Sequence, residues 1–135
     1  MFRIVFCFDE NLVSQVQAAA ASLLDSRGAG DHFEIHCVCT KEAGIAEPLL
    51  EQIIKKRDPA SALVMHCMEN PYENAYQVRD ISAGTYLRLA LPGLLTETEK
   101  ILYMDADVLV RESLAPVWET PMENMALAAV KGAVN

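Results

Sequence analysis

The sequence lacks any run of basic residues. Its 11 Lys and Arg stand against 19 Asp and Glu, for a net charge of −8. Nucleic acid needs a cationic track along its phosphates, so that class of partner is excluded. No apolar run approaches the ~20 residues of a membrane span, so no transmembrane segment is expected. Internal repeats and low-complexity tracts are also missing, which excludes repeat architectures and tract-built linkers. Cysteine is limited to Cys7, Cys37, Cys39 and Cys67. Only Cys37 and Cys39 lie close together, and no zinc-type spacing appears. All four sit in apolar runs, where free thiols pack as core. The expectation is four reduced thiols and a cytoplasmic protein. The opening MFRIVFCFDE fits that setting, being charged too early and too short for a signal peptide.

What is present is enough apolar material for a real core, 52% of 135 residues. That length suits a single domain. FRIVFCF (2–8), FEIHCVCT (33–40) and SALVMHCM (61–68) are apolar, β-rich runs and read as buried strands. Between the first two, Leu12, Val13, Val16, Ala20, Leu23 and Leu24 recur at helical spacing, with Asn11 as a candidate N-cap and Gly28 and Gly30 as the stop. In residues 44–57, Ile45/Ala46, Leu49/Leu50 and Ile53/Ile54 recur every four residues, so an amphipathic helix is predicted, with Pro48 in its first turn. Residues 69–81 read as a loop. Ser82 is placed to cap a short helix, AGTYLRLAL, that Pro92 ends. Residues 100–104 form a fourth strand, SLAPVWET a helical turn and MALAAVK (125–131) a late strand. This alternation predicts an α/β fold with a mostly parallel sheet and helices on its faces.

The fourth strand runs into ILYMDADVLV (101–110), where Asp105 and Asp107 sit one residue apart with no Lys or Arg between Ile101 and Val110. Burying an isolated carboxylate is costly, so the pair needs partners. Side chains at i and i+2 share one side of an extended segment. Ligands of open parallel sheets bind beyond the carboxyl ends of the strands. Two carboxylates converging there would suit a hard divalent cation, Mn2+ or Mg2+. Capping of the next turn is the structural alternative. Asp9, Glu10 and Asn11 follow the first strand, where Asp and Asn could read a base or a ribose, or could cap a helix. Arg88, in an apolar helix, either reaches to the surface or clamps a phosphate.

Three stretches together carry a family resemblance: IVFCFDEN, RDISAGTYLRLALPGLL and KILYMDADVLVRESLAPVWE. The chain resembles glycosyltransferase family 8, the retaining, metal-dependent group that includes lipopolysaccharide galactosyl- and glucosyltransferases. The resemblance implies a GT-A, Rossmann-like nucleotide-sugar-binding fold, a UDP-sugar donor (UDP-glucose or UDP-galactose) and a saccharide acceptor. It implies a role in lipopolysaccharide or cell-surface glycan synthesis. Carried over by position, Asp105 and Asp107 match the metal ligands, and Ala106 lies between them with its backbone near the ribose. Asp9 and Asn11 match the uracil and ribose contacts, and Cys7 and Phe8 line the uracil pocket. Arg88 matches the arginine facing the diphosphate, and Ser82 falls in the segment that closes over the nucleotide. Asp80 departs from relatives that carry His at that position.

The resemblance further implies a third metal ligand, a histidine, and acceptor-binding and catalytic residues, all expected downstream of residue 135. His32, His36 and His66 match none of them and read as structural or surface residues. The expectation is therefore a single nucleotide-binding half of a longer enzyme, acting in the cytoplasm or at the inner face of the membrane. Its late strand, deprived of a continuation, would leave an edge for self-association. Two rival readings remain at this point. One is a non-catalytic UDP- and metal-binding module. The other is a haloacid dehalogenase-type phosphatase, in which Asp-x-Asp supplies the nucleophile.

Overall fold

The computed structural model of the chain describes residues 1–69 and 83–132. Four strands form one sheet: β1 (Phe2–Phe8), β2 (Phe33–Thr40), β3 (Ala62–Met68) and β4 (Leu102–Asp105). Their spatial order is β3-β2-β1-β4, and every neighbouring pair is parallel. Crossovers carry the helices α1 (Val13–Asp25) and α2 (Ala46–Arg57). The short helices α3 (Leu91–Leu94) and α4 (Ala115–Trp118) flank β4 in sequence.

Central strands of a parallel sheet are covered on both faces, which is why FRIVFCF is apolar without alternation. On one face Ile4, Phe6 and Phe8 of β1 and Ile35, Cys37 and Cys39 of β2 pack against Val16, Ala20, Leu23 and Leu24 of α1 and Leu50 and Ile54 of α2. Phe6 is fully buried there, so Phe6→Ala would cost about 3–5 kcal/mol. On the other face Val5, Cys7 and Val38 meet Leu87 and Leu91. Those two leucines come from a 3-10 segment, Ala83–Ala90, and from α3.

Several expectations are corrected. Asp9, not Asn11, makes the capping bond: its Oδ1 accepts the Asn11 backbone N–H at 2.9 Å and caps a 3-10 turn, Glu10–Leu12. Residues 83–90 are 3-10 rather than α-helical, and Pro92 sits in the first turn of α3 instead of ending a helix. A proline loses nothing there, because a first-turn N–H has no helical partner. Residues 125–131 are not a strand, and Met125, Leu127 and Val130 are exposed. β-propensity needs a neighbouring strand to act on, and none pairs with this segment among the described residues. Cys67 is exposed while Cys7, Cys37 and Cys39 are buried; all four are free thiols. The Cys67 strand, β3, is an edge of the sheet.

The segment after β4 is fastened to α1. Ser22 Oγ accepts the Val110 N–H and Ser26 Oγ donates to the Val110 carbonyl, both at 2.8 Å. Farther on, Trp118 stacks on Phe2 with ring centroids 5.5 Å apart, and Lys100 Nζ lies 4.6 Å from the Trp118 ring centroid. These ties hold both flanks of the Asp-x-Asp turn against the body of the fold.

Candidate nucleotide-sugar site

The chain leaves β1 toward β2 on one side, while β4 joins β1 on the other. Between β1 and β4 the strand order therefore reverses, and such a switch point opens a crevice at the carboxyl ends. Cys7 and Asp105 are register partners across it. Asp9 follows at the exit of β1, and Asp107 at the exit of β4.

Asp105 is the last residue of β4, and Ala106 and Asp107 form a turn. Asp105 and Asp107 are exposed, whereas Ala106 is buried and packs in the helix-covered core. The apolar run of the sequence had suggested buried carboxylates. The structure instead buries the alanine between them and presents both acids to solvent. Among the described residues neither acid takes part in an ion pair.

Asp9 is buried, and its carboxylate is engaged by the Asn11 N–H. The Asn11 side chain is exposed beside it. Glu10 Oε2 accepts from Thr40 Oγ1 at 3.0 Å, bracing the exits of β1 and β2. Phe8 turns its ring into the helix-covered core, so its backbone, not its ring, faces the strand exit. Cys7 lies on the opposite face, and burial pushes its thiol up to about 12, against a smaller downward pull from Arg88. Arg88 is exposed on the 3-10 segment. The adjacent Leu87 packs against Val5, Cys7 and Val38, so Arg88 belongs to the segment that covers this face of β1 and β2. Ser82 and Asp80 lie outside the described residues.

Tyr103 was not singled out by the sequence, where it reads as one more apolar strand residue. It is half-buried and packs against the second core beside Cys7. Burial first, and then the neighbouring Cys7 and Asp105, push its hydroxyl up to about 12. The available signal was its position two residues before Asp105, on the same side of the strand.

The family model for glycosyl transferase family 8 matches residues 3–134. The chain belongs to glycosyltransferase family 8. This membership sets the phosphatase alternative aside. Among curated proteins, general stress protein A of Bacillus subtilis is 25% identical over 98% of this chain and 47% of its own length. A probable galacturonosyltransferase 12 of Arabidopsis thaliana is 26% identical over 56% of this chain and 15% of its own. Among solved structures, the galactosyltransferase LgtC, crystallised with donor and acceptor sugar analogues, aligns with a TM-score of 0.76. It is 26% identical, over 90% of this chain and 43% of LgtC. The bifunctional glycosyltransferase WbbM, 20% identical, shares the fold with a TM-score of 0.70 over 90% of this chain and 21% of its own. The α/β fold is thus similar to the GT-A glycosyltransferases LgtC and WbbM. This family 8 chain spans under half the length of general stress protein A and of LgtC.

Proposed function

We propose that this family 8 chain supplies the donor-binding part of a retaining hexosyltransferase. The reaction moves a hexose from a UDP-sugar, UDP-glucose or UDP-galactose, to a saccharide acceptor. One observation carries the reading: two exposed carboxylates, Asp105 and Asp107, stand at the β1–β4 switch point. LgtC, a relative with the same fold, is crystallised with donor and acceptor sugar analogues. The proposed setting is lipopolysaccharide or cell-surface glycan synthesis on the cytoplasmic side. Among the described residues no helix is long and apolar enough to cross a membrane.

The donor set fits a hard divalent cation, Mn2+ or Mg2+. Asp105 and Asp107 are exposed oxygen donors, which such ions favour. Among the described residues no group of three or more His, Cys, Asp or Glu forms a metal site. The remaining coordination positions would fall to phosphate oxygens, water or residues elsewhere in the protein. When bound, the cation neutralises charge on the departing diphosphate without proton transfer.

The chain's own groups have separable tasks. Asp105 and Asp107 would hold the cation at the strand exit. Arg88 would place a fixed positive charge where the UDP leaving group gains negative charge. Asp9, prealigned by the Asn11 N–H, and the exposed Asn11 side chain would orient the uracil and ribose. Cys7 gives the crevice an apolar floor, and the Phe8 and Ala106 backbones border it.

UDP release from UDP-glucose and UDP-galactose by the full-length enzyme in the presence of Mn2+ tests the reading. Release by the wild type that is lost on chelation and in Asp107→Ala is expected. Release that survives both would overturn it.

A further inference from the structure

Cys39 and Cys67 take no part in the proposed donor site, yet their thiols meet. They are register partners on the parallel strands β2 and β3, and their Sγ atoms lie 3.4 Å apart. Neighbouring strands run about 4.8 Å apart, inside the window of about 4.4–6.8 Å between Cα atoms that a disulfide spans. The backbone spacing therefore suits a disulfide already. Side-chain rotation is enough to bring the sulfurs to their bonding distance of about 2.05 Å.

The surroundings make one thiol outer and one inner. Cys67 is exposed on the edge strand β3, whereas Cys39 is buried. Burial pushes the Cys39 thiol up, so it stays protonated at neutral pH and is the poorer first nucleophile. Gly44, in the 3-10 turn Glu42–Ile45, borders the pair: a Cβ there would come within 3.3 Å of Cys67 Sγ. The bare glycine leaves the outer sulfur room to turn toward the inner one.

We propose that Cys39 and Cys67 form a reversible disulfide when the protein meets hydrogen peroxide. The exposed Cys67 thiolate attacks one peroxide oxygen, the O–O bond breaks, and Cys67 becomes a sulfenic acid while the other oxygen leaves as water. The Cys39 sulfur then attacks the Cys67 sulfur. The S–O bond breaks, and the hydroxyl departs with the Cys39 proton as a second water. The two thiols lose two electrons and two protons, and the peroxide is reduced to two waters. A dithiol reductant reverses the bond by exchange. The cysteines are 28 positions apart, and the loop so closed contains α2. The bond therefore staples the edge strand and constrains the unfolded chain.

The protein is treated with hydrogen peroxide, its remaining thiols are blocked with iodoacetamide in denaturant, and unreduced peptides are read by mass spectrometry. The expected product is a Cys39–Cys67 linked peptide, two hydrogens lighter than its separate halves and lost on treatment with dithiothreitol. The urea midpoint of the oxidised protein should lie above that of the reduced protein. Cys67→Ser, at an exposed position, should give neither the link nor the rise. Cys39→Ser should leave Cys67 as a sulfenic acid that dimedone labels. Cys67 oxidised to a sulfinic acid with no link to Cys39, or linked instead to Cys67 of a second copy, would overturn the proposal. A linked peptide with no rise in the midpoint would overturn the stapling role.

Discussion

Asp58 and Asp105 stand at opposite ends of the parallel sheet and are treated in opposite ways. Asp58 lies before β3 at the amino end, with only 4% of its side chain exposed. Its carboxylate accepts from Ser61 Oγ, from the Ala60 N–H at 3.3 Å and from His32 Nδ1 at 2.9 Å, with Arg27 Nε 3.7 Å away. Ser61 Oγ in turn accepts the Phe33 N–H at 2.8 Å. Every strong acceptor direction is taken by the protein itself. Asp105 and Asp107 at the carboxyl end are exposed and, among the described residues, meet no cation of the protein. A carboxylate saturated by its own chain fixes structure, whereas one left open is available to a ligand. The two ends of one sheet thus divide stability from binding.

Removing Asp58 should be the larger blow to folding. Asp58→Ala leaves the Ser61, Ala60 and His32 donors short of an acceptor, at an expected cost of about 3 kcal/mol by urea denaturation. Asp105→Asn should change stability by less than about 0.5 kcal/mol. Equal losses at both positions would erase the contrast. The pH dependence sharpens it. Burial works against the charged form of Asp58, but the bonds from Ser61, His32 and Ala60 outweigh it and hold the carboxyl below its ordinary value of 3.8. A lowered folded-state value means that its contribution is complete above that ordinary value and is lost as the pH falls below it. Wild type should therefore lose stability on acidification below about pH 4 more steeply than Asp58→Asn, whose side chain does not titrate there.

A smaller effect separates the interior of the sheet from its edge. Cys7 is pushed up to about 12 by burial, and burial likewise raises Cys37 and Cys39. Cys67 on β3 is exposed, with its Sγ 3.4 Å from that of Cys39. Iodoacetamide at pH 8 should add one group to the native protein, at Cys67, by mass spectrometry, because the thiolate is the reacting form. Two or more adducts under native conditions would show that the interior thiols are reachable.

The strands β1, β2 and β3 and the helices α1 and α2 were legible because each carries a regular apolar pattern of ordinary length. The strand exit at Asp105 was legible for the same reason. The exposure of Asp105 was not: an apolar run suggests burial, but β4 is an edge strand and the chain turns at Ala106. Asp58 drew no attention within KKRDPAS, since its partner His32 is 26 positions away in sequence. The cap at Asp9 was assigned to Asn11 because both residue types cap and one position separates the readings. Residues 125–131 have strand composition, but composition does not supply a neighbour.

Calorimetric titration of UDP into the wild type and into Asp107→Asn, each with and without Mn2+, addresses the central claim most directly. Asparagine keeps the shape of the side chain and removes its charge. Mn2+ is predicted to tighten wild-type binding by at least about tenfold, or about 1.4 kcal/mol, and to leave Asp107→Asn unchanged. UDP affinity indifferent to Mn2+ in the wild type, or a gain that persists in the variant, would show that the open carboxylates are not a cation site.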